Sequence, residues 1–434
     1  MVPIYRWNSP EIRDYLKRIS SRGVEIHADV EQSVTQILSA VRQRGDAALL
    51  ELTRELEGVE LRTLRIDPEE IHFLALQTDL ELRRTLRLAK ENIRRFHQRQ
   101  VEESFEFEAE DGVRLGQRVY PLQSVGLYVP GGKAAYPSTV LMNAVPAQIA
   151  GVPRIAVATP YQQFRQNPII SAVLEELDIS EVYGIGGAQA VAALAYGTAS
   201  IPKVNKIVGP GNIYVATAKR LVFGVVDIDM IAGPSEVVVV AEESVDPNWV
   251  AADLMAQAEH DENACAIAVT LSKDLARSIQ DSLACSIKNL KRQEIIRKSL
   301  ETHSSILIAD NWEEVAEAVN TIAPEHLELL MENPEPLAEK IHSAGAIFLG
   351  PYSCEPIGDY FAGPNHVLPT SGTACFASPL GVYDFVKRTS LIKYTPSALW
   401  KNHLLIERFA LAENLDAHAQ SVRVRFKGAR RPET

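Results

Sequence analysis

The sequence is that of an α/β protein built on wound parallel sheets, and three observations predict it. Between residues 138 and 223, short apolar strand-like runs alternate with helix-like segments. A second alternating series runs from residue 236 to 349. Two glycine–proline turns, Gly209-Pro-Gly-Asn212 and Ala232-Gly-Pro-Ser-Glu236, follow the apolar stretches 204–208 and 226–231. Glycine permits positive φ and close approach of a ligand, and proline fixes the turn. Turns of this kind, one strand–helix unit apart, mark a ligand crevice at the carboxyl ends of parallel strands.

Each element follows from its pattern. Residues 11–21, 30–44, 47–56 and 69–99 carry apolar side chains at spacings of three and four and are expected to be helices. Short strands follow over 105–129. The first wound series is helix 138–150, strand 154–159, helix 168–177, strand 181–185, helix 188–196, strand 204–208 and helix 213–223. The second is strand 236–241, helix 249–260, strand 264–271, helix 274–290, strand 304–308, helices 312–322 and 336–343, and strand 346–349. Residues 352–379 are rich in Gly, Pro, Ser and Thr and read as loop or active-site surface. From 381 the chain reads as mostly helical to about 425, and the basic, polar tail 427–434 is expected to be loose. The two α/β units show no close repeat, and no segment is low in complexity.

At 434 residues the chain exceeds one ordinary core; at ~150 residues per domain it holds roughly three. A net charge of -12, from 44 basic and 56 acidic residues, argues against general nucleic-acid binding. Cys265, Cys285, Cys354 and Cys375 form no C-x-x-C pair, which disfavours a cysteine-rich zinc site and fits a reducing compartment. The first residues lack the apolar core of a signal peptide, and no apolar stretch is long enough for a bilayer. A soluble cytoplasmic protein without membrane partners is expected.

Several residue sets can carry chemistry. Tyr183-Gly-Ile-Gly-Gly-Ala-Gln-Ala190 approaches a dinucleotide fingerprint between strand and helix, but Gln189 replaces the last glycine and the next strand ends without a ribose-binding acid. Dinucleotide binding and a plain tight turn both fit. Gln257 and His260 lie three apart on one helix face, and oxygen with imidazole nitrogen suits Zn²⁺; a solvated helix face is the bland reading. Glu325-His326, after Pro324, is expected in the first turn of a helix. An adjacent carboxylate and imidazole can divide acid and base duties, or be a helix-start acid and a surface histidine. Asp359 and His366 frame a Gly-Pro loop that can close a metal or substrate site. Glu413 and His418 sit five apart near the end.

Read together, these blocks resemble the histidinol dehydrogenases. The matching blocks are Val125-Gly-Leu-Tyr-Val-Pro-Gly-Gly132, Gly209-Pro-Gly-Asn212, Ile228-Asp-Met-Ile-Ala-Gly-Pro-Ser-Glu236, Gln257-Ala-Glu-His260 and Ala323-Pro-Glu-His-Leu-Glu328. They continue in Gly358-Asp-Tyr-Phe-Ala-Gly-Pro-Asn-His-Val-Leu-Pro-Thr370, then Ala412-Glu413 and Ala417-His418. The resemblance implies oxidation of L-histidinol to L-histidine through L-histidinal, with two NAD⁺ and one Zn²⁺ per site. It implies Gln257, His260, Asp359 and His418 as metal ligands, which with His326 also contact substrate. Ser235, His366 and Glu413 would touch substrate, and Tyr128, Gln189 and Asn212 would touch NAD⁺. His326 would be the base for the alcohol proton and Glu325 the activator of water.

The implied assembly is a homodimer whose exchanged C-terminal region lends Glu413 and His418 to the neighbouring site. The implied fold is two incomplete Rossmann-like units, one inserted in the other, with helical N- and C-terminal extensions exchanged in the dimer. Residues 1–26 would be an N-terminal helical segment, 27–127 plus 235–380 the catalytic and metal domain, 128–234 the inserted NAD-contacting domain, and 381–434 the exchange segment. Two departures stand out: Cys375 where the family commonly has Arg, and Asn414 beside Glu413; both lie outside the chemical set. Competing readings are a sister dehydrogenase for a sulfonated diol, which needs extra cationic groups, and a zinc hydrolase, which predicts turnover without NAD⁺. The intact Glu325-His326 pair opposes a silent binding protein.

Overall fold

The computed structural model describes residues 2–21, 28–131 and 136–426. The tail 427–434, the boundary at 26 and 27, and Gly132 lie outside the described residues. The chain divides into a larger unit (1–100 with 122–385) and a smaller one (101–121 with 386–434). In chain order the strands are β1 (Ile4–Arg6), β2 (Phe105–Glu108), β3 (Arg114–Pro121), β4 (Val125–Tyr128), β5 (Ile155–Ala158), β6 (Val182–Tyr183), β7 (Lys206–Val208) and β8 (Asp227–Ile228). They continue as β9 (Glu236–Ala241), β10 (Cys265–Thr270), β11 (Ser305–Ile308), β12 (His326–Leu330), β13 (Ala346–Leu349) and β14 (Val386–Lys393).

The larger unit holds two parallel sheets. One has six strands in the order β1-β11-β10-β9-β12-β13, the other five in the order β6-β5-β4-β7-β8. The five-stranded sheet lies in sequence between β1 and β9. Strands β9 to β12 are buried throughout, because helices cover both faces and the strands read as near-continuous apolar runs. Helices Pro247–Ala258 and Lys273–Ser286 pack on one face and Pro10–Ser21 and Trp312–Ile322 on the other. The five-stranded sheet is likewise covered, by Gly187–Tyr196 with Ala28–Arg44 and Ile213–Val222 on one side and Pro137–Ile149 with Pro168–Glu176 on the other. Among the described residues no helix is long and apolar enough to cross a membrane.

Several elements differ from the sequence reading. The stretch 69–99 is two helices, Pro68–Ala75 and Leu80–His97, because Asp67 and Asp79 each cap a helix start by accepting from a backbone amide. Short β1, on the sheet edge, and helix Gln293–Thr302 were not anticipated. The expected helix start at Glu325-His326 is corrected: His326 opens β12. The preceding helix stops at Ala323, a left-handed cap with φ 47°, and Pro324 then prevents its continuation. Strand β8 covers only two residues, so Ala232-Gly-Pro-Ser-Glu236 leads into β9 more than it ends a strand.

The smaller unit is a three-stranded antiparallel sheet, β14-β3-β2, followed by helices Pro396–Ala412 and Asp416–Arg423. The mostly helical reading from 381 is thus corrected by an eight-residue strand. Its charged, mostly exposed sequence hides the alternation by which strands are recognised. Strands β2 and β3 pair here, whereas the sequence grouping put them with 27–127.

Candidate active site

The site begins with three elements that each carry two polar side chains at the spacing of one face. Helix Pro247–Ala258 carries Asp253 and Gln257, and helix Glu355–Tyr360 carries Glu355 and Asp359, each pair four residues apart. Strand β12 carries His326 and Glu328, two apart. Gln257, Glu328, Glu355, His326 and Glu325 are all buried. His260, two residues past its helix, completes the group. Ligand atoms of His260, Glu355 and Asp359 lie within 4.8 Å of one another and could hold a metal ion. With its amide turned so that nitrogen faces the acids, Gln257 donates to both Glu355 carboxylate oxygens, at 3.0 and 3.1 Å, which leaves the amide oxygen as an acceptor.

His326 sits against these acids. Its Nδ1 lies 3.3 Å from the Glu236 carbonyl and 3.2 Å from the Gln257 amide nitrogen; a hydrogen on Nδ1 serves the carbonyl, which only accepts, and leaves Nε2 its lone pair. Nε2 lies 3.9 Å from Asp359 Oδ1. Burial pushes the His326 imidazole down to about 3, holding it neutral. His366 faces Asp359 from the other side, with Nδ1 3.1 Å from its carbonyl, and burial lowers it to about 4.

Burial raises the Glu325 carboxyl well above the usual range, with the charges of Glu236 and Asp359 adding to the effect. The Glu236 amide, which donates to Glu325 Oε2 at 3.0 Å, and the Ser235 hydroxyl oppose it. Burial likewise raises Asp359 to about 6 and Glu355 well above its normal range. Behind them, Glu328 accepts from the Glu355 amide at 2.6 Å and is raised by burial, and by the charge of Asp253, to about 9.

The ion-pair contacts of Glu325, Glu355 and Asp359 among the described residues are all to histidines. Buried carboxylates in such number need protons or a cation, and histidine with carboxylate oxygens suits Zn²⁺. All of these groups lie at the amino-terminal edge of the six-stranded sheet, where β9 and β12 begin at Glu236 and His326.

The second candidate region lies at the opposite kind of edge. The order of the five-stranded sheet reverses between β4 and β7, so the crevice outside their carboxyl ends is a topological switch point. Tyr128 ends β4, and Gly209-Pro-Gly-Asn212 follows β7. Gly209 has φ 112°, and a Cβ there would fall 2.2 Å from the Tyr128 carbonyl oxygen, so only glycine fits. Asn212 caps the next helix, its Oδ1 accepting from the amides of Tyr214 and Val215 at 3.1 and 3.2 Å. The near-fingerprint at Tyr183 to Ala190 is closed from within. The Gly186 amide donates to Glu57 at 2.9 Å and the Gly187 amide to the Tyr128 hydroxyl at 3.0 Å. A carboxylate thus occupies the helix start where a dinucleotide fold seats a pyrophosphate. Gln189 is buried just behind.

The structure therefore gathers Ser235, Gln257, His260, Glu325, His326, Asp359 and His366 at one edge, and Tyr128, Gln189 and Asn212 around the other sheet. Glu413 and His418 belong to the smaller unit, where both are exposed at the end and start of successive helices. Asn414 between them adopts φ 57°, a conformation that asparagine tolerates well, and Cys375 is an exposed residue of a short turn. Sequence reasoning missed Glu355, Asp253 and Glu328. The available signal was spacing: each precedes or follows a named residue by one helical turn or one pleat.

The histidinol dehydrogenase family model matches residues 20–426. The histidinol dehydrogenase of Listeria monocytogenes serovar 1/2a is 52% identical over 398 residues, covering 92% of this chain and 93% of that protein. That of Chlorobium chlorochromatii is 50% identical over 428 residues, covering 98% and 100%. The crystal structure of histidinol dehydrogenase from Elizabethkingia anophelis aligns with a TM-score of 0.92 at 35% identity, over 98% of both chains. With kinship running nearly end to end and the same fold beneath it, the chain belongs to the histidinol dehydrogenase family and is an oxidoreductase.

Proposed function

We propose that the protein oxidises L-histidinol to L-histidine through bound L-histidinal, reducing two NAD⁺ and using one Zn²⁺ per site, as the last steps of histidine biosynthesis. The observation that carries this reading is the convergence of His260, Glu355 and Asp359 within 4.8 Å, beside the buried Glu325-His326 pair. Gln257, His260 and Asp359 would hold the metal, with His418 supplied by a second copy of the chain. When bound, Zn²⁺ would hold the substrate's imidazole and amino nitrogens and offset the buried carboxylates. Glu355 would orient Gln257 by taking its amide hydrogens.

The chain's own groups then divide the work. His326, neutral and with Nε2 free, accepts the hydroxyl proton as hydride leaves the carbinol carbon for NAD⁺. Glu325, ionised once a bound cation offsets the buried charge, takes a proton from water as that water adds to the aldehyde. His326, having returned its first proton to solvent, takes the hydrate's proton as the second hydride leaves. Ser235, His366 and Glu413 contact substrate. Holding the aldehyde throughout keeps a reactive intermediate out of solution.

Residues 27–127 with 235–380 would carry catalysis and metal, and 128–234 would contact NAD⁺ through Tyr128, Gln189 and Asn212. Residues 381–434 would exchange between the two subunits of a homodimer. A metal analysis paired with a histidinol-dependent NADH trace tests the core of this: two NADH per histidinol are expected, and one would overturn the Glu325 step. Mixing inactive His326→Ala with inactive His418→Ala subunits should restore activity through one intact site per mixed dimer. No recovery after proven subunit exchange would remove the shared site.

A further inference from the structure

Lys219, on helix Ile213–Val222, and Asp229, just past β8, form an ion pair whose side chains are 3% and 1% exposed. Both charges converge on one residue of the switch-point turn. Lys219 Nζ donates to the Gly209 carbonyl at 2.9 Å, and the Gly209 amide donates to Asp229 Oδ2 at 2.8 Å. Asp229 Oδ1 also accepts from the Met230 amide at 2.7 Å, so the carboxylate is satisfied by backbone as well as by the lysine.

A buried ion pair is a poor way to gain stability, since desolvating two charges offsets most of their attraction, and apolar residues of similar volume often do better. What this pair achieves is geometric. It captures both hydrogen-bonding groups of Gly209, a residue in a glycine-only conformation wedged against the Tyr128 carbonyl. It thereby sets where Pro210, Gly211 and Asn212 leave the strand, and where Asn212 begins its helix. The amides of Gly186 and Gly187, the other glycine-rich turn of this sheet, are already taken by Glu57 and Tyr128. The Gly209 turn is therefore the part of the switch point that must hold its shape for a ligand.

We propose that Lys219 and Asp229 are positioning residues for NAD⁺: they clamp the Gly209-Pro-Gly-Asn212 turn in the conformation that receives the dinucleotide. This rests on the reading that the crevice between β4 and β7 binds NAD⁺. The experiment measures KM for NAD⁺ and for histidinol, kcat, zinc content and Tm for Lys219→Met and Asp229→Asn, with NADH affinity read separately by fluorescence titration.

Both variants should raise KM for NAD⁺ and weaken NADH binding by tenfold or more. The kcat at saturating NAD⁺, the histidinol KM and the zinc content should stay within twofold. Val222→Ala, a truncation of a fully buried residue on the same helix, supplies the control for lost stability; its Tm should fall with KM for NAD⁺ unchanged. Asn212→Asp keeps a helix cap but sets a negative charge against the cofactor, and tests the crevice itself. If Asn212→Asp raises KM for NAD⁺ while whichever clamp variants fold leave it within twofold of wild type, the clamp is wrong and the crevice stands. If Asn212→Asp also leaves it unchanged, the crevice reading falls. If KM for NAD⁺ rises in Val222→Ala as much as in the clamp variants, the effect is general loosening and the proposal is overturned.

Discussion

The two polar regions of the larger unit treat buried charge in opposite ways. At the carboxyl-end crevice of the five-stranded sheet, Asp229 is buried but met by Lys219 and by backbone amides. At the amino-terminal edge of the six-stranded sheet, Glu325, Glu328, Glu355, Asp253 and Asp359 are crowded together. There burial, before any neighbouring charge, raises the proton affinity of each. The first region is electrostatically finished by the chain itself. The second pairs its acids only with histidines among the described residues, so protons or a cation must offset them. A turn that must only hold a shape can be self-contained; a cluster of buried acids stays dependent on what protonates or binds it.

That contrast can be broken by measurement. The largest effect is expected at the acid-rich edge: His326→Ala should lower kcat by about a thousandfold, in the range of lost general-base catalysis, with KM for NAD⁺ little changed. A parallel rise in that KM would mean the two regions are not separable. Next, Glu355→Ala should weaken zinc binding by about ten- to a hundredfold, the usual cost of removing a group that orients a metal ligand; chelator competition reads this without turnover, and an unchanged affinity would detach Glu355 from the metal. On the other side, Gly209→Ala should cost about 1–3 kcal/mol through backbone strain and raise KM for NAD⁺ while sparing zinc content. Calorimetry and a metal assay together decide it.

The smallest effect sharpens the electrostatic difference. Glu328 is raised in the fold from 4.5 to about 9, so across that interval the folded metal-free protein keeps a proton that the unfolded chain gives up. Its contribution to stability is full below about 4.5 and is lost as pH rises toward 9. Metal-free Glu328→Gln should therefore lose less Tm than metal-free wild type between pH 5 and 8. Equal slopes would mean the carboxyl is already ionised in the fold.

How much of this was legible in the sequence differs between the two regions for a physical reason. Wound parallel sheets announce themselves through buried apolar strands such as β9 and β10, and the turn at Gly209 through its glycines and proline. Glu325-His326 was legible as a chemical pair but not as a strand start, because Pro324 fits equally after a helix cap and at a helix beginning. Glu355 was hidden because it lies in the Gly-, Pro-, Ser- and Thr-rich stretch that reads as loop; only the fold brings it against Gln257. Strand β14 was hidden by charge, since a mostly exposed strand of a small antiparallel sheet keeps few of the apolar positions that reveal alternation.

Glu57 carries a practical corollary. Inhibitors that imitate a diphosphate and lodge on a glycine-rich loop would meet a resident acid at Gly186, and like charges repel at that distance. Such compounds should spare this enzyme while hitting ordinary dinucleotide oxidoreductases. Selective chemistry against it belongs instead at the acid-rich edge, where a cationic head group would meet the crowded carboxyls of Glu325, Glu355 and Asp359.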